Sequence, residues 1–401
     1  MNLTQILSTA VSREASDVHL KAGIVPVIRK HGMLRPLDES LQPLSPETLH
    51  KMAFDILDET QKKTLDSTGA VDIGYGIAGL GRFRVNIFKQ RGTLRMVMRL
   101  IPHDVPDIDQ INVPAVIKKL ALESERGLVL VTGMTGSGKS TTLAAMVNYI
   151  NQHRNRHIVM IEDPIEFLIR DYKCIISQVE LGTDAVTYPQ ALKNSLRQDP
   201  DIILIGEMRD LETVDTAMTA AETGHLVFST LHTTDAIETI NRILSVYPAH
   251  QHQQIRYQLA AVLKAIISQR LITRPDGKGF VPAVEVLINS GRVKELILAG
   301  GKAKEMQEAL ETGRTAYGMQ SFDQSLMELI AKNLITYEAA LQASSNPKDF
   351  AVRFSGIKGH DAVNWVNKDG KTADNRIWDQ IQELELQTNL SHINKKGPKK
   401  K

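Results

Sequence analysis

The residues with the densest chemical potential are GMTGSGKS, at 133–140. They fit the spacing G-x-x-x-x-G-K-[ST] at every fixed position, a pattern that closes backbone N–H groups around phosphate oxygens. Gly133, Thr135, Gly136, Ser137 and Gly138 form the cradle. Lys139 reaches the β- and γ-phosphates, and Ser140, followed by Thr141, offers a hydroxyl to Mg²⁺. The six residues before the loop, GLVLVT, read as a buried strand, and those after it as a helix. Strand, glycine loop and helix N-terminus in that order make a nucleoside triphosphate site.

Such a loop needs acidic partners at neighbouring strand ends, where ligands bind in open α/β sheets. Two places supply them. Glu162 and Asp163 follow the apolar run 157–161, and Glu207 follows the run 202–206. Carboxylates there can orient an attacking water, take its proton, or hold Mg²⁺ directly or through water. Gly206 stands where such strands usually end in aspartate, so metal binding is expected to rely on Ser140, phosphate and water-mediated acids. A third constellation is the strand segment 223–232, in which His225 and His232 bracket an apolar run. Seven residues of strand would separate the two imidazoles by roughly 23 Å, too far to share one metal. One is expected near the phosphates and the other at a strand end or interface.

The elements that position these groups follow from pattern. Residues 1–101 begin with a helical stretch carrying Leu3, Ile6, Leu7, Ala10 and Val11, then turn strand-rich, a small α+β domain. Arg82, Arg84, Arg95 and Arg99 alternate with apolar residues, as on half-buried antiparallel strands. Residues 102–114 hold three prolines and read as a linker. Residues 115–290 alternate apolar runs (128–131, 157–161, 201–206, 225–230) with helices, the mark of a parallel α/β sheet. Residues 291–355 turn helical (292–299, 302–312, 323–333, 337–343). The stretch 356–401 carries Trp365, Trp378 and a lysine-rich end, and reads as an extension.

Composition narrows the classes. The 401 residues are 42% hydrophobic and 23% charged, as in an ordinary globular protein. A formal net charge of +2 gives no electrostatic case for nucleic-acid binding. One cysteine, Cys174, excludes an intrachain disulfide and a multi-cysteine zinc module. No apolar run is long enough to span a bilayer, and the first residues do not read as a secretory signal. A cytoplasmic protein that meets membrane only through a partner is the expectation.

The motifs together resemble one family, the secretion and type IV pilus ATPases, in particular the PilT retraction type. The resemblance spans about residues 1–355 and rests on ASDVHL at 15–20, GRFRVN at 81–86, IEDPIEF at 161–167, LRQDPDIILIGEMRD at 196–210 with its glycine, and TGHLVFSTLH at 223–232. It implies a PAS-like N-terminal α+β domain joined to a RecA-like P-loop ATPase domain with C-terminal helices, assembled as a homohexamer that hydrolyses ATP with Mg²⁺. It implies Glu162 as general base, Glu207 as the acid near Mg²⁺, with Asp163 and Ser140 beside the metal, and His225 and His232 near the nucleotide or interface. Arg84 and Arg99, with Arg82 third, are the arginines it would close on the γ-phosphate.

The resemblance implies pilus retraction and twitching motility, with force passed to an inner-membrane platform protein and possible pairing with a paralogous retraction ATPase. One motif departs. Where the family has AIRNLIRE, residues 292–299 read RVKELILA, which keeps the accessory PilU type open. An assembly or secretion motor, a nucleic-acid translocase and a structural accessory ring are the other readings; the single cysteine and near-neutral charge argue against the first two.

Overall fold

The structure, a computed structural model, describes residues 2–30, 32–101, 105–277 and 279–356. The tryptophan-bearing extension and its lysine-rich end lie outside the described residues.

The N-terminal region follows from its caps and alternation. Asn2 and Gln5 form a capping box that starts α1 (Leu3–Ser12), whose Leu3, Ile6, Leu7 and Ala10 are buried. Strands β1 (Asp17–Lys21), β2 (Val27–Lys30) and β3 (Met33–Pro36) follow. Ser45 caps α2 (Pro46–Phe54) with proline in its first turn, and Asp58 caps α3 (Glu59–Thr68), which ends on left-handed Gly69. Strands β4 (Ala70–Ile77), β5 (Gly81–Gln90) and β6 (Thr93–Ile101) complete an antiparallel sheet of order β3-β2-β1-β6-β5-β4. Val18, Leu20, Val85, Ile87, Met96 and Met98 point to the helices and form one core. The opposite face carries the alternate residues, and there Asp17, Arg99, Arg84 and Gly74 stand in one cross-strand row.

The stretch read as a linker is anchored. Ile108 is 2% exposed and packs with Ile117 and Ala121 of α4 (Val116–Glu123) in the core of the next sheet. That sheet is built from β7 (Gly127–Thr132), α5 (Lys139–His153), β8 (His157–Glu162), β9 (Ile175–Glu180), α6 (Tyr188–Ser195), β10 (Ile202–Ile205), α7 (Leu211–Glu222), β11 (Leu226–Leu231), α8 (Ala236–Ser245), α9 (His252–Val262), β12 (Leu263–Thr273) and β13 (Phe280–Ile288). Its order is β13-β12-β7-β11-β10-β8-β9, with β12, β7, β11, β10, β8 and β9 mutually parallel. All six residues of β7 are buried. Leu128 and Leu130 enter one core with α7, α8 and α9, while Val129 and Val131 enter the other with α4 and α5. Burial on both faces is why these strands read as unbroken apolar runs.

Strands β9 and β12 were not legible as strands. β9 carries Ser177, Gln178 and Glu180 and is half-buried at the sheet edge. α9 passes into β12 at Leu263 with no glycine or proline between them.

The C-terminal helices divide. α10 (Gly291–Ala299), α11 (Ala303–Thr312) and α12 (Arg314–Tyr317) belong to the unit that holds everything up to Leu271 and returns for Val284–Ser321. α13 (Phe322–Ala331), α14 (Tyr337–Ala343) and α15 (Pro347–Gly356) belong to a second unit with Ile272–Ala283. That unit has its own core, in which Ile272, Val281 and Ala283 meet Phe322, Leu326, Phe350 and Phe354.

Candidate active site

The C-terminal ends of β7, β11, β10 and β8, adjacent in that order, bring together residues scattered over 133–232. From β7 the chain enters the phosphate loop. Gly133 has φ +144°, and a Cβ there would lie 2.5 Å from both the Gln269 carbonyl oxygen and Ser137 Oγ. Only glycine fits that crossing. Gly138, at φ +90°, starts α5, whose N-terminus has no side-chain cap. Lys139 is 9% exposed and donates to the carbonyls of Gly133 at 2.8 Å and Met134 at 3.1 Å. Burial pushes its ammonium pKa down, against the charges of Glu166 and Glu207. Ser140 and Thr141 stand half-buried in the first turn.

One further strand, β12, shapes the loop. Thr132 donates to Ser268 at 2.9 Å, and Gln269 Nε2 donates to Thr142 at 2.8 Å. Neither Ser268 nor Gln269 was singled out from sequence. The signal was a polar pair inside the run 263–273.

Glu207 lies just beyond β10 and is 8% exposed. Its carboxylate pairs with Arg209 and stands 3.4 Å from His232 Nε2, beyond the end of β11. Ser229 and Thr230 donate their hydroxyls to the carbonyls of Ile205 and Gly206, tying this turn to β11. Gly206 has a steric reason: a Cβ there would lie 2.7 Å from Tyr188 Oη and 3.3 Å from the Ile161 carbonyl oxygen. Tyr188 is half-buried, and burial first, then the charges of Asp163, Glu207 and Glu162, push its phenol well above the usual range. Asp163 is exposed, and its charge is felt by both Tyr188 and Arg209.

Glu162 ends β8. It accepts a hydrogen bond from Gln178 Nε2 at 3.0 Å. Burial pushes its carboxyl up to about 7, with the charges of Glu166 and Glu180 adding, although the bond from Gln178 favours the ionised form. A group that is part protonated at neutral pH can accept and return a proton.

The structure separates the two histidines. His232 meets Glu207, whereas His225 precedes β11 at its other end, where its carbonyl accepts from Gly127 N–H. The imidazole Nδ1 lies 3.0 Å from the Ala220 carbonyl, beside a cavity of about 350 Å³ lined by Arg126, Arg154, Arg156 and Asp201. His225 is therefore not among the groups at the phosphate loop. Arg84 is exposed, and among the described residues neither it nor Arg99 bonds to that loop. Arg99 Nε donates to Asp17 at 2.8 Å; burial pushes the Asp17 carboxyl up, but the bonds from Arg99 and Ser16 prevail and hold it below the usual range.

The loop fits a phosphate on its own terms. Ser137 Oγ is buried without a hydrogen-bond partner, and the α5 N-terminus is uncapped. Among the described residues no three His, Cys, Asp or Glu side chains converge as a metal nest. An Mg²⁺ site would thus combine the Ser140 hydroxyl with phosphate oxygens, with Glu207 and Asp163 nearby.

The comparisons with known proteins agree with this geometry. The family described as Type II/IV secretion system protein matches residues 1–359. The chain belongs to that family. Within it, the type IV pilus retraction ATPase PilT of Pseudomonas aeruginosa is 43% identical over 350 residues, covering 87% of this chain and 100% of that protein. The type IV pilus ATPase PilU of the same organism is 40% identical over 349 residues, covering 87% of this chain and 90% of that protein. The crystal structure of the pilus retraction motor PilT with bound ADP superposes with a TM-score of 0.80 at 41% identity, covering 87% of this chain and 98% of the other. Like those relatives, this member of the secretion-system family is an ATPase. Its α+β domain followed by a P-loop α/β domain is the fold that the motifs implied. Among the described residues no helix is long and apolar enough to cross a membrane.

Proposed function

We propose that the chain is an ATP-driven motor of type IV pilus retraction, working as a homohexamer in the cytoplasm at the inner-membrane face. The observation that carries this reading is the buried Glu162 carboxyl, standing in one row of strand ends with the phosphate loop and with Glu207. The backbone of 133–138 and Lys139 hold the β- and γ-phosphates, and the α5 dipole favours their charge. Ser140, with Glu207 and Asp163 acting through water, would hold Mg²⁺, which would supply neutralisation of phosphate charge. Glu162 takes the proton of the attacking water. Glu207, fixed by Arg209 and His232, orients the groups between loop and base. Arg84, exposed on its sheet face, is free to approach the γ-phosphate of a neighbouring copy; Arg99 must first leave Asp17. An arginine that arrives only on closure couples hydrolysis to movement. That movement is passed to an inner-membrane platform protein, and nucleic acid has no part in it.

Deleting the gene and complementing with wild type or Glu207→Ala tests this, with twitching and surface piliation scored. Wild type should restore retraction and Glu207→Ala should not. Full complementation by Glu207→Ala, or a deletion with unchanged retraction, overturns the motor reading.

One observation favours an accessory, PilU-like role. In α10 the buried Val293, Leu296 and Ile297 keep the apolar pattern, and the departures, Lys294, Leu298 and Ala299, are exposed or half-buried. The change therefore falls on a surface that would transmit force. Retraction that needs a second, paralogous motor in the same cell would establish that role.

A further inference from the structure

Arg82 and Arg84 share one face of β5, yet Arg82 is turned inward. Its Nη2 lies 2.8 Å from Glu180 Oε2. Glu180 ends β9, the edge strand of the second sheet, and is 1% exposed. The same Oε2 accepts the backbone N–H of Ile165 at 3.1 Å. Ile165 lies three residues beyond Glu162, and the register of β8 and β9 sets Glu180 opposite Glu162. The fit is close. A Cβ on Gly74, on the neighbouring strand β4, would lie 2.2 Å from Glu180 Oε1 and 2.4 Å from Arg82 Nη2. One buried carboxylate thus joins the first sheet to the segment that carries the base.

We propose that Arg82 and Glu180 form a positioning latch, through which docking of the N-terminal sheet holds residues 162–166 in their working geometry. This rests on the reading of Glu162 as general base. A carboxylate buried this deeply needs a cation to stay ionised. Without Arg82, the buried Glu180 carboxylate loses the cation beside it, and the rearrangement around it weakens its hold on Ile165. The Arg82 fork is used on one side only: its Nε is buried with no acceptor among the described residues. A half-used fork suits a contact that opens and re-forms as the domains move.

The test uses the full chain with Arg82→Gln, Glu180→Gln, the double variant and Arg82→Lys, the last keeping the cation should the neutral variants fold poorly. Two readouts apply: kcat and KM for ATP, and hydrogen exchange of the peptide containing Ile165. Arg82→Gln should lower kcat roughly 10- to 100-fold, as a misplaced catalytic group does, with KM nearly unchanged. It should also speed exchange at Ile165. Arg82→Lys should keep Ile165 protected. The double variant should be no worse than Arg82→Gln, because the two residues act as one unit.

Additive losses, or an Arg82→Gln chain with unchanged Ile165 exchange, overturn the latch. The two proposals fail separately. If Glu162→Gln hydrolyses ATP normally while Ile165 exchange still responds to Arg82→Gln, the base assignment falls and the latch stands.

Discussion

Replacing Glu162 by Gln should make the protein more stable at alkaline pH while removing its activity. Glu162 has an ordinary value of 4.5 and is pushed up to about 7 in the folded chain. The sign follows from linkage. The folded state holds the proton more tightly than the unfolded chain, so this stabilisation is full below pH 4.5 and is lost as pH rises through about 7. At about 1.4 kcal/mol per pH unit, ionising Glu162 costs the fold about 3 kcal/mol above neutrality. Glutamine avoids that cost and keeps an oxygen to accept the bond from Gln178 Nε2. Urea unfolding of the nucleotide-free protein at about pH 5 and about pH 8 is the assay. The variant's advantage should be about 2.5 kcal/mol larger at the higher pH. ATP hydrolysis should fall by about 10²- to 10⁴-fold, the span of a lost general base. An equal stability difference at both pH values would show that Glu162 is not held protonated by burial and would refute the reasoning, whatever the activity.

Two other predictions follow from the crowding at Gly206 and from the arginines of the first sheet. Gly206→Ala should destabilise the chain by about 1–3 kcal/mol through overpacking against Tyr188 Oη, and Tyr188→Phe in the same chain should recover most of it in urea titrations. Arg84→Ala should leave stability within about 0.5 kcal/mol and slow hydrolysis only in the assembled ring, whereas Arg99→Ala should cost about 1 kcal/mol at neutral pH by leaving the buried Asp17 carboxylate with Ser16 and the more distant Arg29. Asp17 is held below its ordinary 3.8, so that second penalty should fade as pH drops below this value, which an acid titration of both variants reads directly.

What was legible in the sequence was local. The phosphate loop, the acids at the ends of β8 and β10 and the alternation of β5 and β6 are each written within a few consecutive residues. What was hidden came from distant partners. Gln269 supports the loop from β12, and nothing near 133–140 announces it. Tyr188 explains Gly206, although the two are joined only by the packing of α6 against the strand ends. Arg82 and Arg84 are two residues apart on one strand face and indistinguishable by pattern; the edge of β9 lies over one and not the other. The helices after residue 290 have similar apolar faces, so sequence could not divide them between two cores.

Gln269 has one more consequence. The loop is finished at Ser140, yet the residues that brace it, Ser268 and Gln269, sit 136 and 127 positions downstream of the residues they bond. During synthesis at roughly 5–20 residues per second, the emerging chain spends on the order of 10 s with the loop made and its brace still absent. Over that interval β7 lacks its neighbour β12, and Gly133 lacks the carbonyl it packs against. The chain should therefore gain its hold on nucleotide late, after β12 has left the ribosome, and nascent chains truncated before residue 263 should bind none.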